Sequence, residues 1–418
     1  MNVLTVPTTR NIFTVASNQP LAQLHAVTDE CISLEERTTL LLMRDLVRVG
    51  WRLQSNSHNS FEFVPPKIYS KDVVKSAMAY ARNETLANNA EWIQKHIYLA
   101  HENLASGNDV LKSAIRPRIE VCTTEKAHTL FRLFRYYWSS PYSEYVGRRL
   151  RLLVRDDGIK GSPVIGIAAL GSSIIHIPDR DKWIGWETKT RTENIIYVMD
   201  AYVIGALPPY NHLLGGKLIS YILSSNEVRK IYKQKYKDQK TLIKEREATD
   251  LVLIVTSSLY GKNSSQYNRI KFNDQLLYEP IGTTAGYGTL HISNETFESM
   301  KNLAESRGHS LTNRFGDGPN WRMRVIRTAC DELNLNAEVI LRHSFQRGLY
   351  AVPLADNWQA FLLGTTKRPK YKNLPMKDLV KYWKQRWLGA RKLRPDVIKT
   401  VEGFQPKDFK IEETPIAL

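Results

Sequence analysis

The sequence predicts an α+β fold: a helical N-terminal region, a central mixed β-sheet with flanking helices, and a basic helical C-terminal region. Three observations carry this reading. Apolar residues in the first third recur at helical spacing. From residue 148 the chain turns to short apolar runs separated by turn residues, as strands do. The end of the chain joins helical spacing to a dense run of Lys and Arg. These changes divide the chain into a helical region at 1–115, an α/β core at 116–298 and a C-terminal α/β extension with a basic tail at 299–418. A chain of 418 residues, 42% of them hydrophobic, has ample material for a packed core, and its length fits two or three domains.

Each element has its own signal. In "SLEERTTLLLMRDLVRVG" Ser33 and Glu36 have capping-box spacing, and Gly50 ends the helix. "VPPK" at 64–67 breaks any continuation. "SKDVVKSAMAYARNETLANNAEWIQKHIYLAHENLASG" holds two more helices before Gly107. "RRLRLLVRDD" (148–157) and "SPVIGIAALGSSIIHI" (162–177), separated by "GIKG", read as a hairpin. "ENIIYVMDAYVIGAL" is a strand long enough to carry a bulge. "LLGGKLISYILSSNEVRKIYKQKY" continues with helical periodicity through Leu218, Tyr221, Ile222 and Val228. "TDLVLIVTSSL" is apolar in the manner of a strand buried on both faces. "SSQYNRIKF" is a short helix capped by Ser264 or Ser265. "LLYEPIG" and "YGTLHIS" read as further strands. Beyond residue 295 come the helix "ETFESMKNLAESRG", the glycine-rich loop "FGDGPNWR", the helix "RVIRTACDELNL" and two short strands, "RGLYAVPL" among them.

The stretch "MDAYVIGALPPYNHLLGGKL" (199–218) joins a strand to a helix through a glycine-rich turn, a common cradle for phosphate. It is not a triphosphate P-loop. Asn211 stands where that motif needs glycine, and Leu218 where it needs Ser or Thr. Amides at 215–217 can still face an anion, aided by the helix dipole and Lys217. Asn211, Gly215, Gly216 and Lys217 are therefore candidate phosphate contacts. The competing reading is that Gly215 and Gly216 only let a helix pack closely on a strand.

Over roughly residues 148–293 the order of elements is similar to the acetyltransferase fold abbreviated GNAT. The likeness is topological. It implies acyl-coenzyme A as the ligand, with its pyrophosphate on the amides between the fourth strand and the next helix. It also implies a tyrosine, on the helix after the fifth strand, that protonates the departing thiolate. Tyr267 falls on the corresponding short helix. The family's loop usually reads Arg or Gln, two residues, Gly, one residue, Gly or Ala; the adjacent glycines of "NHLLGGKL" depart from it.

Other residues invite chemistry. Asp200 lies in an apolar strand, so its carboxylate is either a general base or is held by backbone amides or by an arginine such as Arg180 or Arg191. "TSSLYGKNSSQYNR" follows a buried strand and supplies Ser258, Asn268 and Arg269 as candidate ligand contacts, because loops at the carboxyl ends of strands carry sites. Tyr260 and Tyr267 read equally well as half-buried anchors. The tryptophans of "RDKWIGW" either stack a base or close a core. "GPNWRMRVIR" sets Arg322 and Arg324, with Arg327, around a helix start that suits phosphate, or a solvated helix.

Charge is the most informative bulk property. Lys plus Arg number 59 against 42 acids, a net +17. A polyanionic partner, DNA above all, is the natural expectation. Residues 366–399 hold 12 Lys or Arg against Asp378 and Asp396, a net +10. There Met376, Leu379, Val380, Trp383 and Trp387 would pack inward. Lys377, Lys381 and Lys384 would face out, with Arg391, Lys392 and Arg394 beyond. "VRKIYKQKYKDQK" is a second basic run. Three scattered cysteines, Cys31, Cys122 and Cys330, argue against a disulfide framework or a cysteine zinc site. HExxH, GxSxG and metal-spaced clusters are missing, so no metal is expected. No secretory signal or membrane span is read, and a cytoplasmic location is expected.

Seven blocks occur in order: "VGRRLRLLVRDD", "VIGIAALG", "RDKWIGW", "VMDAYVIGALPPYNHLLGGKL", "VTSSLYGKNSSQYNRIKF", "EPIGTTAGYGTLHIS" and "GPNWRMRVIR". From about residue 116 to 365 they closely resemble the DruA family of the Druantia anti-phage defence system of bacteria. The resemblance implies a role in phage resistance and partners among the other Druantia proteins, including a large helicase. It carries over no catalytic residue. Three readings stay open: a DNA-engaging defence subunit, an acyltransferase-like or degenerate acyl-coenzyme A or nucleotide-binding protein, and a non-catalytic interaction scaffold.

Overall fold

The computed structural model describes residues 4–6, 33–55, 61–65, 71–138, 147–241, 245–259, 265–312, 319–343 and 345–414. Leu34–Arg48 is helical for the reason its sequence gives. The Glu36 amide donates to the Ser33 hydroxyl (3.2 Å), and the Glu36 carboxylate accepts from the Ser33 amide (2.9 Å). β1 (Leu4–Val6), β2 (Arg52–Ser55) and β3 (Phe61–Val64) make a small antiparallel sheet in the order β1-β3-β2. Helices Lys71–Ala87 and Ala90–Asn103 then match the two expected before Gly107, and a short helix, Gly107–Lys112, follows.

The centre is a seven-stranded mixed sheet. Its strands are β4 (Pro117–Val121), β5 (Arg149–Asp156), β6 (Val164–Ser172), β7 (Val198–Ala206), β8 (Leu253–Ser258), β11 (Glu279–Thr283) and β12 (Gly348–Pro353). Between β8 and β11 the chain makes a minimal hairpin of β9 (Lys271–Phe272) and β10 (Gln275–Leu276). The order across the sheet is β11-β12-β8-β7-β6-β5-β4, and every neighbouring pair is antiparallel except β7 and β8. β12, from the last third of the chain, lies between β8 and β11. β5 and β6 form the expected hairpin. β7 carries the expected bulge: Val203 faces Ala169 and Ala201 faces Leu170, which leaves Tyr202 as the extra residue.

Alternation along the strands sends side chains to two cores. Leu152, Ile165 and Leu170 pack with Leu218 and Ile222 of the helix Gly215–Leu223 and with Leu379 and Trp383 of the tail. Leu153 and Ile167 point the other way, onto Leu130 and Phe134 of the helix Glu125–Tyr136. Each such apolar side chain, fully buried, stabilises the fold by about 1.5–3 kcal/mol. A further core joins the helix Leu34–Arg48 to residues 292–345: Leu42 and Leu46 pack with Phe297, Met300, Ile326 and Ile340.

Three expectations need correction. Residues 287–293, read as a strand, form an irregular segment tied elsewhere. The Gly288 amide donates to the Leu341 carbonyl (2.9 Å) and the His291 ring bonds the Ile340 carbonyl (2.9 Å), so side-chain anchoring wins over alternation. The single helix expected over 213–236 is two, Gly215–Leu223 and Asn226–Tyr236, because Ser225 caps the second. Of two strands expected after residue 295, the described residues contain β12 and only an isolated bridge between Ala355 and Tyr371. The basic tail is helical as expected, in the segments Met376–Trp383, a π-helical turn Lys384–Leu388, Gly389–Lys392 and Pro395–Glu402. The glycines of "FGDGPNWR" lie outside the described residues, and the helix there begins at Pro319. Ser264 and Tyr260 also lie outside them; Ser265 caps the short helix Gln266–Arg269.

Candidate functional site

The parallel pair β7 and β8 stays together for only three registers: Val198 with Leu253, Met199 with Ile254 and Asp200 with Val255. There the Tyr202 bulge re-aims β7. The Thr256 hydroxyl still reaches the Ala201 carbonyl (2.8 Å), the last bond across the opening pair. Beyond it lies a cavity of about 590 Å³. That volume is in the range of a cofactor-sized ligand site. Asp200, Ser258 and Tyr267 line it, as do Arg135, Gln266 and Arg347.

Asp200 is buried. Its carboxylate accepts from the Ser173 hydroxyl (2.6 Å) and the Ile174 amide (3.0 Å). Arg180 touches Asp200 only through Ser173, to whose hydroxyl it donates (2.8 Å). Arg191 pairs instead with Asp181 (3.1 Å). Tyr267 stacks on Tyr278, centroids 4.9 Å apart and planes 9° from parallel. Burial pushes its phenol above the ordinary range, against the pull of hydrogen bonds from Thr256 and Gln266. At neutral pH it therefore holds its proton and can give one to a developing anion.

The glycine turn does not line this cavity; among the lining residues it meets Gln266, through Gly216 and Lys217. Leu214 takes a left-handed conformation (φ 59°) at the head of the helix, and the Pro208–Pro209 bond before it is cis. A Cβ on Gly215 would stand 2.7 Å from the Tyr210 carbonyl and 2.8 Å from the Ala206 Cβ, so close packing on β7 requires glycine there. A Cβ on Gly216 would meet only the Gln266 side chain at 3.3 Å. Asn211 accepts from the His212 amide (2.8 Å) and bonds the Tyr137 hydroxyl. Lys217 is buried, and its ammonium reaches the Gln266 carbonyl at 3.4 Å. Asn268 accepts from the Tyr350 hydroxyl (3.0 Å), and Arg269 is exposed.

The other candidates stand apart from the cavity. Arg322 is spent on Asn294 (3.0 Å) and the ring of Phe297, and Arg324 on the Thr312 carbonyl. In the tail, Lys384, Lys392 and Arg391 hold main-chain carbonyls of Ala114, Leu111 and His212, which docks the tail on the core. Arg394 pairs with Asp396 (2.8 Å). Lys377 and Lys381 are exposed. Trp183 stacks on Trp358 (4.2 Å), and Trp186 donates to the Leu362 carbonyl (2.8 Å), so "RDKWIGW" closes a core. Burial pushes the thiols of Cys122 and Cys330 up to about 12, which removes them as nucleophiles at neutral pH.

Arg135, Trp138 and Arg347 line the cavity but carry no motif, and Thr256 and Gln266 lie in the stretch 256–269 without being singled out there; only the sheet order brings them together. Among the described residues no three His, Cys, Asp or Glu side chains are grouped to hold a metal ion, and no helix is long and apolar enough to cross a membrane.

Fold and site together define an α+β protein whose mixed sheet opens at its one parallel pair onto a ligand-sized cavity, with a basic tail docked behind it. The family model described as "Druantia protein DruA" matches residues 68–364. Over 329 residues the chain is 33% identical to the Druantia protein DruA of Escherichia coli strain UMEA 4076-1, covering 78% of this chain and 81% of that protein. No solved structure matches. The chain belongs to the DruA family.

Proposed function

We propose that this chain works in an anti-phage defence system of the Druantia type as a subunit that engages DNA through a basic face. Family membership supports the defence role. One observation carries the DNA reading: the fold brings the starts of two basic helices together. The Asn226 amide donates to the Leu374 carbonyl (2.9 Å), and the Met376 amide to the Glu227 carboxylate (2.9 Å). The helices 226–236 and 376–383 thus start from one junction. Lys230, Lys233, Lys377 and Lys381 are exposed and form no ion pair among the described residues. Exposed lysines outside ion pairs, on two helices that start together, suit a phosphate backbone. The sister proteins that the family resemblance implies, a large helicase among them, are the partners such a subunit would serve. The test replaces these four lysines by glutamate in the full chain. Binding of a labelled oligonucleotide should weaken at least tenfold and protection against phage should fall; unchanged binding would sink the reading.

A second reading has its own observation. The cavity opens where the parallel strands part, with a protonated Tyr267 in its wall, which favours a GNAT-like site for acyl-coenzyme A. Coenzyme A at millimolar concentration should then raise the Tm, since a ligand of the native state stabilises it. Tyr267→Phe should keep that shift while slowing any acyl transfer. An unmoved Tm would leave the cavity without this ligand.

A further inference from the structure

Lys217 poses a problem of charge. It is only 7% exposed, and lysine is almost never buried so deeply without an anion. Among the described residues it forms no ion pair. Its ammonium has the Gln266 carbonyl at 3.4 Å and the ring of Trp387, 4.3 Å from the centroid. The charged groups that act on it are Arg269 and Arg386, both cations. Burial first, and these two guanidinium groups next, pull its pKa down to about 8. Arg386 lies 4.7 Å from the centroid of the same Trp387 ring. Both residues belong to the π-helical turn Lys384–Leu388, and such turns recur at functional sites.

Two cations, Lys217 and Arg386, share the ring of Trp387, and Arg269 is the other charge acting on Lys217; with Lys217 desolvated and no acid beside it among the described residues, the three are mutually repulsive. A fold that gathers them gains only when an anion joins them. A single carboxylate would leave charge uncompensated. A phosphate offers multiple charge and several acceptor oxygens, and matches both a point-charge ammonium and planar guanidinium forks. We infer that Lys217, Arg269 and Arg386 form a phosphate-binding site walled by Trp387. Its ligand is a phosphate group, from either a nucleic-acid backbone or a small phosphorylated cofactor. The site is built of side chains from three distant segments and uses none of the exposed lysines of the proposed DNA face. It therefore stands or falls separately from that face, and the loss of a shift in Lys217→Met distinguishes it from coenzyme A bound in the cavity alone.

The test is thermal unfolding of the full chain with inorganic pyrophosphate, a short single-stranded oligonucleotide or coenzyme A, for wild type, Lys217→Met and Arg386→Gln. Pyrophosphate should raise the wild-type Tm. Lys217→Met should leave the ligand-free Tm unchanged or higher, because it removes an uncompensated buried charge, and should abolish the pyrophosphate shift. Arg386→Gln alters an exposed side chain and should weaken pyrophosphate at least tenfold without loss of fold. A shift with the oligonucleotide that Lys217→Met loses identifies nucleic acid as the source; the same result with coenzyme A identifies a cofactor. If none of the three probes moves the wild-type Tm, or if the shift persists undiminished in both variants, the inference is overturned.

Discussion

Arg180 shows how far a single residue can be read. It is fully buried, and its five N–H groups all find acceptors: Asp181 twice (2.8 and 2.5 Å), the Ser173 hydroxyl (2.8 Å), and the carbonyls of Ile174 (2.7 Å) and Ile175 (3.1 Å). It holds the loop that in turn holds Asp200. Asp181→Ala would leave that guanidinium buried without its counter-ion, at a cost of about 3–5 kcal/mol. Urea unfolding of the variant, beside the exposed control Lys182→Ala, measures this; a loss of less than about 1 kcal/mol would refute it. The sequence shows that Asp200 needs partners, because a carboxylate in an apolar strand cannot stay bare. It does not show that Ser173 and Ile174 supply them and that Arg180 acts at one remove, since that depends on how a loop folds back. Lys217 is the same case inverted: the residue is conspicuous in the sequence, but that no acid among the described residues pairs with it is a fact of three dimensions.

At the scale of elements, signals set by near neighbours are legible and pairings across the chain are not. The Ser33 capping box, the β5–β6 hairpin, the bulge in β7 and the Ser265 cap all follow from residues a few positions apart. The place of β12 between β8 and β11 does not, because nothing local encodes which strand edge it fills. The segment 287–293 is misread because its alternation is real but its histidine is an anchor. His291 and His343 stack edge to face (5.4 Å). Burial lowers the first to about 4, with Asp45 resisting, and the second to about 2, with His291 and Arg347 adding. Both lie below the unfolded value near 6.5, so both are neutral in the fold while the unfolded chain takes up protons as the pH falls. Their contribution is complete above pH 6.5 and drains away below it, about 2 kcal/mol per histidine between pH 7 and pH 5. Chemical denaturation at these two pH values, in wild type and His343→Gln, should show the variant losing roughly half of this dependence. Identical slopes would mean the pair does not govern the acid limb.

For the molecule as a whole, the net +17 is plain in composition, but its distribution is decided by folding. Part of the basic tail is structural: Lys384, Arg391 and Lys392 are turned onto backbone carbonyls and are unavailable to a partner. Among the outward cations are Lys230, Lys233, Lys377 and Lys381 of the helices 226–236 and 376–383, segments about 150 residues apart in the chain that meet through Asn226 and Glu227. That division makes the DNA reading quantitative. If Lys230, Lys233, Lys377 and Lys381 each neutralise one phosphate, replacing them by neutral glutamine lowers the slope of log affinity against log salt by about 3.6 on duplex DNA and by about 2.8 on a single strand. Glutamine replacement of Lys384, Arg391 and Lys392 should instead loosen the tail and lower the Tm, with little change in that slope. Titrations of labelled duplex and single strand between 50 and 200 mM salt separate the two sets. A slope that responds to the carbonyl-bound set and not to the exposed one would put the DNA contact somewhere other than this junction.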